Sequence, residues 1–327
     1  MHDIAILVYP GCMGVTVFGL ADLLLIANHV AAHAGLPQPR FAVRLAGVRR
    51  GEVALAGGVR LQVGALRGAP QLLVVPGIEV GRFGQWPEKA PRLQAEIALV
   101  KRRHAAGVPL AAVCMGSFLL AEAGVLDGRR AATSWPFERE FAERFPAVHL
   151  QSQALLCKEP GLITAGSVTS AFDLGLDLIR AHFGDRVASA AARLSLVEAQ
   201  RLTQKPYVDQ ALIPPPPAGF ATQVNRWLSA RLAEPYDLPR LARAFHVSSR
   251  TLLRRYRHET GVTPLRWVQQ ARIDRAKRLL ESSAMSLAQV VEAVGYEDAA
   301  TFSRLFRREA GQSPGLYRRR NRAALVT

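Results

Sequence analysis

The chain has 327 residues, with 42 Lys and Arg against 26 Asp and Glu and a formal net charge of +16. That length holds two or three domains, each large enough for its own core. Three widely spaced cysteines, Cys12, Cys114 and Cys157, argue against a disulfide framework and for a reducing cytoplasm, and the chain has neither a CxxC pair nor a histidine cluster for a metal.

Met1, His2 and Asp3 lack the basic start of a signal peptide. No apolar run reaches 18 residues, so no membrane span is expected. Residues 3–9 (DIAILVY) form, after Asp3, an unbroken apolar run, the pattern of a strand buried on both faces of a parallel sheet. Pro10 and Gly11 stop it. Residues 15–34 read as an apolar helix, 41–45 as a second strand, and 72–75 as a third that runs into Pro76 and Gly77. A helix is predicted over 91–106, a strand over 109–113, a short helix over 117–123, a strand over 162–165 and an amphipathic helix over 168–183. Alternating strands and helices predict an α/β sandwich around a mostly parallel sheet, of flavodoxin-like type.

The sharpest local signal in this half is PLAAVCMGSFLLAEAG (109–124). A buried strand runs straight into a helix, with Cys114 at the turn and Gly116 after it. Such a turn exposes one side chain at the C-terminal end of a sheet. A helix N-terminus there is expected to lower the thiol pKa. Residues 184–202 are Ala-rich and read as helical. The segment 203–219 carries four consecutive prolines and reads as a stiff connector between domains.

Beyond it, one unit is written twice. Leu238, Leu241, Ala242, Ala244 and Phe245 recur 49 residues on as Leu287, Val290, Val291, Ala293 and Val294. Leu252, Arg254, Tyr256, Arg257, Gly261 and Pro264 recur 50 residues on as Phe302, Arg304, Phe306, Arg307, Gly311 and Pro314. The added residue falls in the turn near Asp298. Each unit reads as a short helix, a tight turn capped by a polar residue (Ser248 or Ser249 in the first) and a second helix ended by glycine. Helical spacing turns Leu252 and Tyr256 inward and Ser249, Arg250, Thr251, Arg254, Arg257 and His258 outward. In the second copy Phe302 and Phe306 point in, and Ala300, Thr301, Arg304, Arg307 and Arg308 point out. An amphipathic second helix with a basic outer face suits a major groove of double-stranded DNA. Residues 221–327 hold 20 Lys and Arg against 9 Asp and Glu, whereas residues 1–220 hold 22 against 17. The basic excess therefore lies in the repeat. Arg318, Arg319, Arg320 and Arg322 follow it as further candidates for phosphate contact.

The segment GYEDAATFSRLFRREAGQSPGLYR (295–318), with its first copy, resembles the AraC/XylS family of transcription regulators over about residues 220–320. The resemblance implies two helix-turn-helix units that read successive major grooves. With VVPGI (74–78), TSW (133–135) and TAG (164–166), the first 200 residues resemble the ThiJ/PfpI, class I glutamine-amidotransferase-like fold. The joint arrangement resembles the GlxA-like group of regulators. It implies a cytoplasmic homodimer with a small-molecule effector bound near Cys114, Met115, Gly77, Ile78, Ser134 and Trp135, and no cofactor. The expected domains are 1–202 for effector binding and dimerisation, 203–219 as linker and 220–322 for DNA. Three positions depart from hydrolytic relatives. Met115 and Ser134 stand where those place histidine, and Thr16 stands where they often place an acid. Two other readings stay open: a cysteine-dependent hydrolase or hydratase with a DNA-binding appendage, and an architectural DNA binder without an effector.

Overall fold

In this computed structural model the described residues are 2–36, 40–199, 201–209, 212–213 and 219–321. The prolines at 214–217 and Arg322, both singled out above, lie outside them. The chain divides into two compact units, residues 1–204 and 205–327.

The first unit is built on ten strands: β1 (His2–Leu7), β2 (Phe41–Gly47), β3 (Gly51–Ala54), β4 (Arg60–Ala65), β5 (Leu72–Val75), β6 (Leu110–Val113), β7 (Arg130–Ala131), β8 (His149–Leu150), β9 (Leu156–Glu159) and β10 (Leu162–Ala165). Eight form one sheet in the order β3-β4-β2-β1-β5-β6-β10-β9, and β7 pairs with β8 apart from it. The six central strands are parallel; β3 on β4 and β9 on β10 are antiparallel at the two edges. Register is set by apolar partners such as Ile4↔Leu72, Leu73↔Leu110 and Leu110↔Leu162. β5 and β6 are buried along their whole length, as strands covered on both faces must be.

Among the described residues its α-helices are α1 (Leu20–His33), α2 (Trp86–Lys89), α3 (Gln94–Ala105), α4 (Gly116–Glu122), α5 (Glu138–Arg144), α6 (Ser170–Phe183) and α7 (Asp185–Leu194). α1 packs on α6 and α7. A Cβ on Gly175 of α6 would stand 2.7 Å from a Leu23 methyl, so the close approach of α6 to α1 needs glycine. Val15–His33 is 19 residues long and apolar enough to cross a membrane by length and composition alone, which the sequence reading did not allow for. Here its face Leu20, Leu23, Leu24, Ala27 and Ala31 is buried in the core. The helix expected over 184–202 stops at Leu194, and Leu196 turns left-handed at φ 52°.

The expected linker is partly packed. Thr203 bridges to Ala154, and Gln204 is buried in the first unit. In the second unit, the buried Lys277 ammonium donates to the carbonyls of Lys205 (3.1 Å) and Val208 (2.7 Å).

The second unit is helical: α8 (Phe220–Ser229), α9 (Leu238–Ala244), α10 (Ser249–Thr260), α11 (Pro264–Ser282), α12 (Leu287–Ala293), α13 (Ala299–Ala310) and α14 (Pro314–Asn321). It has two small cores. One gathers Leu241, Leu252, Tyr256 and Val268 with α8. The other gathers Ile273, Leu280, Val290, Phe302, Phe306 and Tyr317. α11 serves both, through Val268 at one end and Ile273 to Leu280 at the other.

Candidate ligand pocket and nucleic-acid interface

Parallel strands deliver their following loops to one edge of the sheet. Gly77 and Ile78 follow β5, Cys114 and Met115 follow β6, and Gly166 and Ser167 follow β10. Cys114 is left-handed at φ 55°, a strained conformation for a residue with a Cβ. Gly116 makes the sharp turn possible: a Cβ there would lie 2.4 Å from the Val75 carbonyl oxygen. Gly77 is also tightly placed, since its Cβ would meet that of Cys114 at 3.0 Å. Thr16 holds the neighbouring loop, accepting from the Gly77 N–H at 3.2 Å and donating to the Met13 carbonyl at 2.7 Å.

The elbow geometry is present, but the expected thiolate is not. Burial pushes the Cys114 thiol up, against weaker opposing pulls from the Met115 N–H and the Ser134 hydroxyl. Desolvation of a residue only 5 % exposed outweighs the short helix behind it. Cys12 is likewise pushed up to about 11 by burial. Ser134 touches Cys114 and donates to Ser167 Oγ at 3.1 Å. Thus Cys114, Met115, Gly77, Ile78 and Ser134 converge as buried residues, with Trp135 half-buried beside them. Among the described residues, no cluster of three His, Cys, Asp or Glu could hold a metal.

Sequence reasoning missed Gln204, which is 2 % exposed. Its carboxamide donates to the carbonyls of Thr133 and Ala154, both at 2.9 Å, and accepts from the N–H groups of Ser167 (3.0 Å) and Trp135 (3.3 Å). It lies flat on Gly166, where any Cβ would come within 2.4 Å of its Cδ. An open cleft of about 450 Å³ is lined in part by Leu155, Asp173, Arg201 and Leu202. The only sequence signal was the small residue of the TAG motif.

In the second unit the two copies match down to their caps. Asp237 caps α9 and Ser286 caps α12. Ser248 caps α10 and Asp298 caps α13. Thr263 accepts from Arg266 at the start of α11, and Ser313 accepts from Leu316 at the start of α14. The turns repeat too. His246 (φ 54°) and Gly295 (φ 80°) are both left-handed, and Val247→Ala242 recurs as Tyr296→Val291. Glu297 is the inserted residue between them. α10 and α13 end at left-handed Gly261 and Gly311.

On α10, Arg250, Arg254, Arg257 and His258 are exposed and Ser249 and Thr251 half-buried; on α13, Ala300, Thr301, Arg304, Arg307 and Arg308 are exposed. Among the described residues, no carboxylate lies within 4 Å of Arg250, Arg254, Arg257, Arg304 or Arg307. Arg304 donates to Thr301 Oγ1 at 2.9 Å. Arg308 differs: it is tied to Glu309 at 2.6 Å, as is Arg266 of α11 through a two-pronged pair at 2.6 and 2.7 Å. Arg318 donates to the Met285 carbonyl, whereas Arg319 and Arg320 are exposed. A second buried device was illegible in the sequence. Arg272 of α11 donates to the carbonyls of Leu232 (2.8 Å), Glu234 (2.6 Å) and Gly295 (2.9 Å) and stacks 5.1 Å from the Tyr296 ring centre. It ties the α8–α9 loop to the turn of the second copy.

Comparison with known proteins agrees with this division. Residues 21–181 match the DJ-1/PfpI family, and residues 241–320 match a family described as helix-turn-helix domain. The HTH-type transcriptional regulator CdhR of Pseudomonas aeruginosa is 31% identical over 64% of this chain and 62% of its own length. The HTH-type transcriptional regulator GlxA of Rhizobium meliloti is 28% identical over 68% of each. An AraC family transcriptional regulator of Pseudomonas putida, known from its crystal structure, is 22% identical, covers 60% of this chain and 100% of its own, and has a TM-score of 0.48. The aligned stretch spans about three fifths of the first of these relatives. The chain thus joins a DJ-1/PfpI-type domain over residues 21–181 to an AraC-type helix-turn-helix domain over residues 241–320.

Proposed function

We propose that the chain is a cytoplasmic transcription regulator that binds double-stranded DNA sequence-specifically through α10 and α13. Its first unit takes a small effector near Cys114 and pairs with a second copy. The observation that carries the DNA reading is the repeated recognition helix: two capped helices, each presenting exposed arginines without ion-pair partners among the described residues. Such arginines can bridge guanine acceptors or grip phosphates.

The effector reading rests on the elbow loops and on the departures Met115, Ser134 and Thr16, which put no histidine or acid at those three positions. A buried thiol held neutral suits contact with a ligand better than attack on one. The strained Cys114 backbone still favours a second reading, cysteine-dependent hydrolysis or hydration. Turnover of a compound that Cys114→Ser abolishes would establish it in place of the sensor.

The DNA reading is tested on a selected binding site and on random DNA. Arg254→Ala and Arg304→Ala should each lose about 1–3 kcal/mol on the site and less on random DNA. Equal losses on both would assign the side chains to phosphates, and no loss from either would contradict the reading.

A further inference from the structure

A buried primary amide has two N–H donors and two acceptor lone pairs to satisfy. Gln204 satisfies all four, and every partner is a main-chain group of the first unit: the carbonyls of Thr133 and Ala154, and the N–H groups of Ser167 and Trp135. Two acceptors and two donors so placed make a receptor specific for –CO–NH2. A carboxylate would set oxygen against two carbonyls, and an apolar group would leave four buried polar atoms unpaired. Gly166 supplies the floor, because no side chain fits between it and the amide plane. The receptor adjoins the elbow: Thr133 and Trp135 flank Ser134, which contacts Cys114. Open space adjoins it too. Leu155, next to Ala154, and Arg201 and Leu202, close to Gln204, line the cleft of about 450 Å³.

The occupant arrives from the end of the unit. Gln204 is its last residue, and Lys205 begins the second unit. Just before it, Leu202 is 86 % exposed, while Arg201 is clamped by Asp173 and the Thr169 carbonyl.

We propose that this clasp is a ligand subsite for a primary carboxamide, and that Gln204 is its internal occupant, displaced when an amide-bearing effector binds. Displacement frees the chain where the first unit hands over to the second. This deepens the effector reading above and rests on it.

The test uses the full chain, wild type and Gln204→Ala, with propionamide as probe and propionate and N,N-dimethylpropionamide as controls. Gln204→Ala should melt below wild type, and propionamide should raise its melting temperature saturably. Neither control should do so, since neither can donate to both carbonyls. An internal occupant present nine-tenths of the time weakens the apparent affinity of wild type about ten-fold, so its half-saturating propionamide concentration should be higher by about that factor. In wild type, propionamide should also speed tryptic cleavage of the Arg201–Leu202 bond. No response of Gln204→Ala to propionamide, or an equal response to the controls, would overturn the proposal. Should Gln204→Ala fail to fold, wild-type cleavage decides: propionamide without effect there is equally fatal. DNA binding measured on the same wild-type sample separates the two readings. DNA binding retained without an amide response rejects the clasp alone, and DNA binding absent rejects the regulator.

Discussion

At the scale of single residues, backbone conformation and burial decide what side chains do. Cys114 is the clearest case. Its position at the end of β6 was legible from four apolar residues running into Cys-Met-Gly. Its protonation was not, because the helix behind it is short and the sulfur is desolvated by loops from distant sequence. Burial raises the pKa of the thiol, so its reaction with iodoacetamide should rise at higher pH than that of an exposed thiol. At pH 8 native Cys114 should alkylate more slowly than in the unfolded chain, measured by peptide mass spectrometry. A native rate that levels off below pH 7 would mean a thiolate and contradict this account. Gly295 offers a second test. Gly261 and Gly295 are both left-handed, but only Gly295 has backbone against its missing Cβ, with the Ala233 oxygen at 2.4 Å. Gly261→Ala should cost about 1–2 kcal/mol from backbone strain. Gly295→Ala should cost a further 1–3 kcal/mol or so from overpacking, seen as a larger drop in denaturation midpoint.

At the scale of elements, the helix-turn-helix repeat was the most legible part of the chain. Local rules fix it: caps, helical spacing and terminal glycines all act within a few residues. What local rules miss are the long-range polar ties. Arg272 and Lys277 sit on α11, and both are buried among carbonyls of residues distant in sequence. Glu309 likewise braces α13 to α11 through Arg266. Burial pushes the Glu309 carboxyl up, but the guanidinium groups of Arg266 and Arg308 more than offset this and hold it below the usual range. A depressed carboxylate contributes stability above its unfolded pKa of about 4.3, and that contribution is lost as pH falls through the folded value. The helical unit of wild type should therefore lose stability below about pH 4.3, and Glu309→Gln should lose less over that interval while being less stable at pH 7. Parallel pH–stability curves for the two proteins would contradict the assignment.

At the scale of the whole molecule, the parallel sheet was read correctly in its centre and not at its edges. β5 and β6 are continuous apolar runs, and β1 after Asp3 and β10 apart from Thr164 are nearly so, a pattern that long-range burial imposes on sequence. β3, β4 and β9 are edge or near-edge strands with half-exposed, mixed residues such as Arg60–Ala65, and carry no such pattern. The expected linker over 203–219 was read from its prolines, but the packing of Thr203 and Gln204 depends on residues 50 to 71 positions away in sequence. Only the fold reveals that a polar side chain at the end of one unit fills a site made by its own backbone.

The central claim is that two copies of one helical unit read DNA together. The most direct measurement is selection of binding sites by the full chain from random duplex DNA, followed by sequencing. The account predicts enrichment of two short motifs about 10–10.5 base pairs apart, one helical turn, with Arg254→Ala relaxing one and Arg304→Ala the other. Retention of duplexes without any enriched sequence, at an affinity set by salt alone, would contradict it.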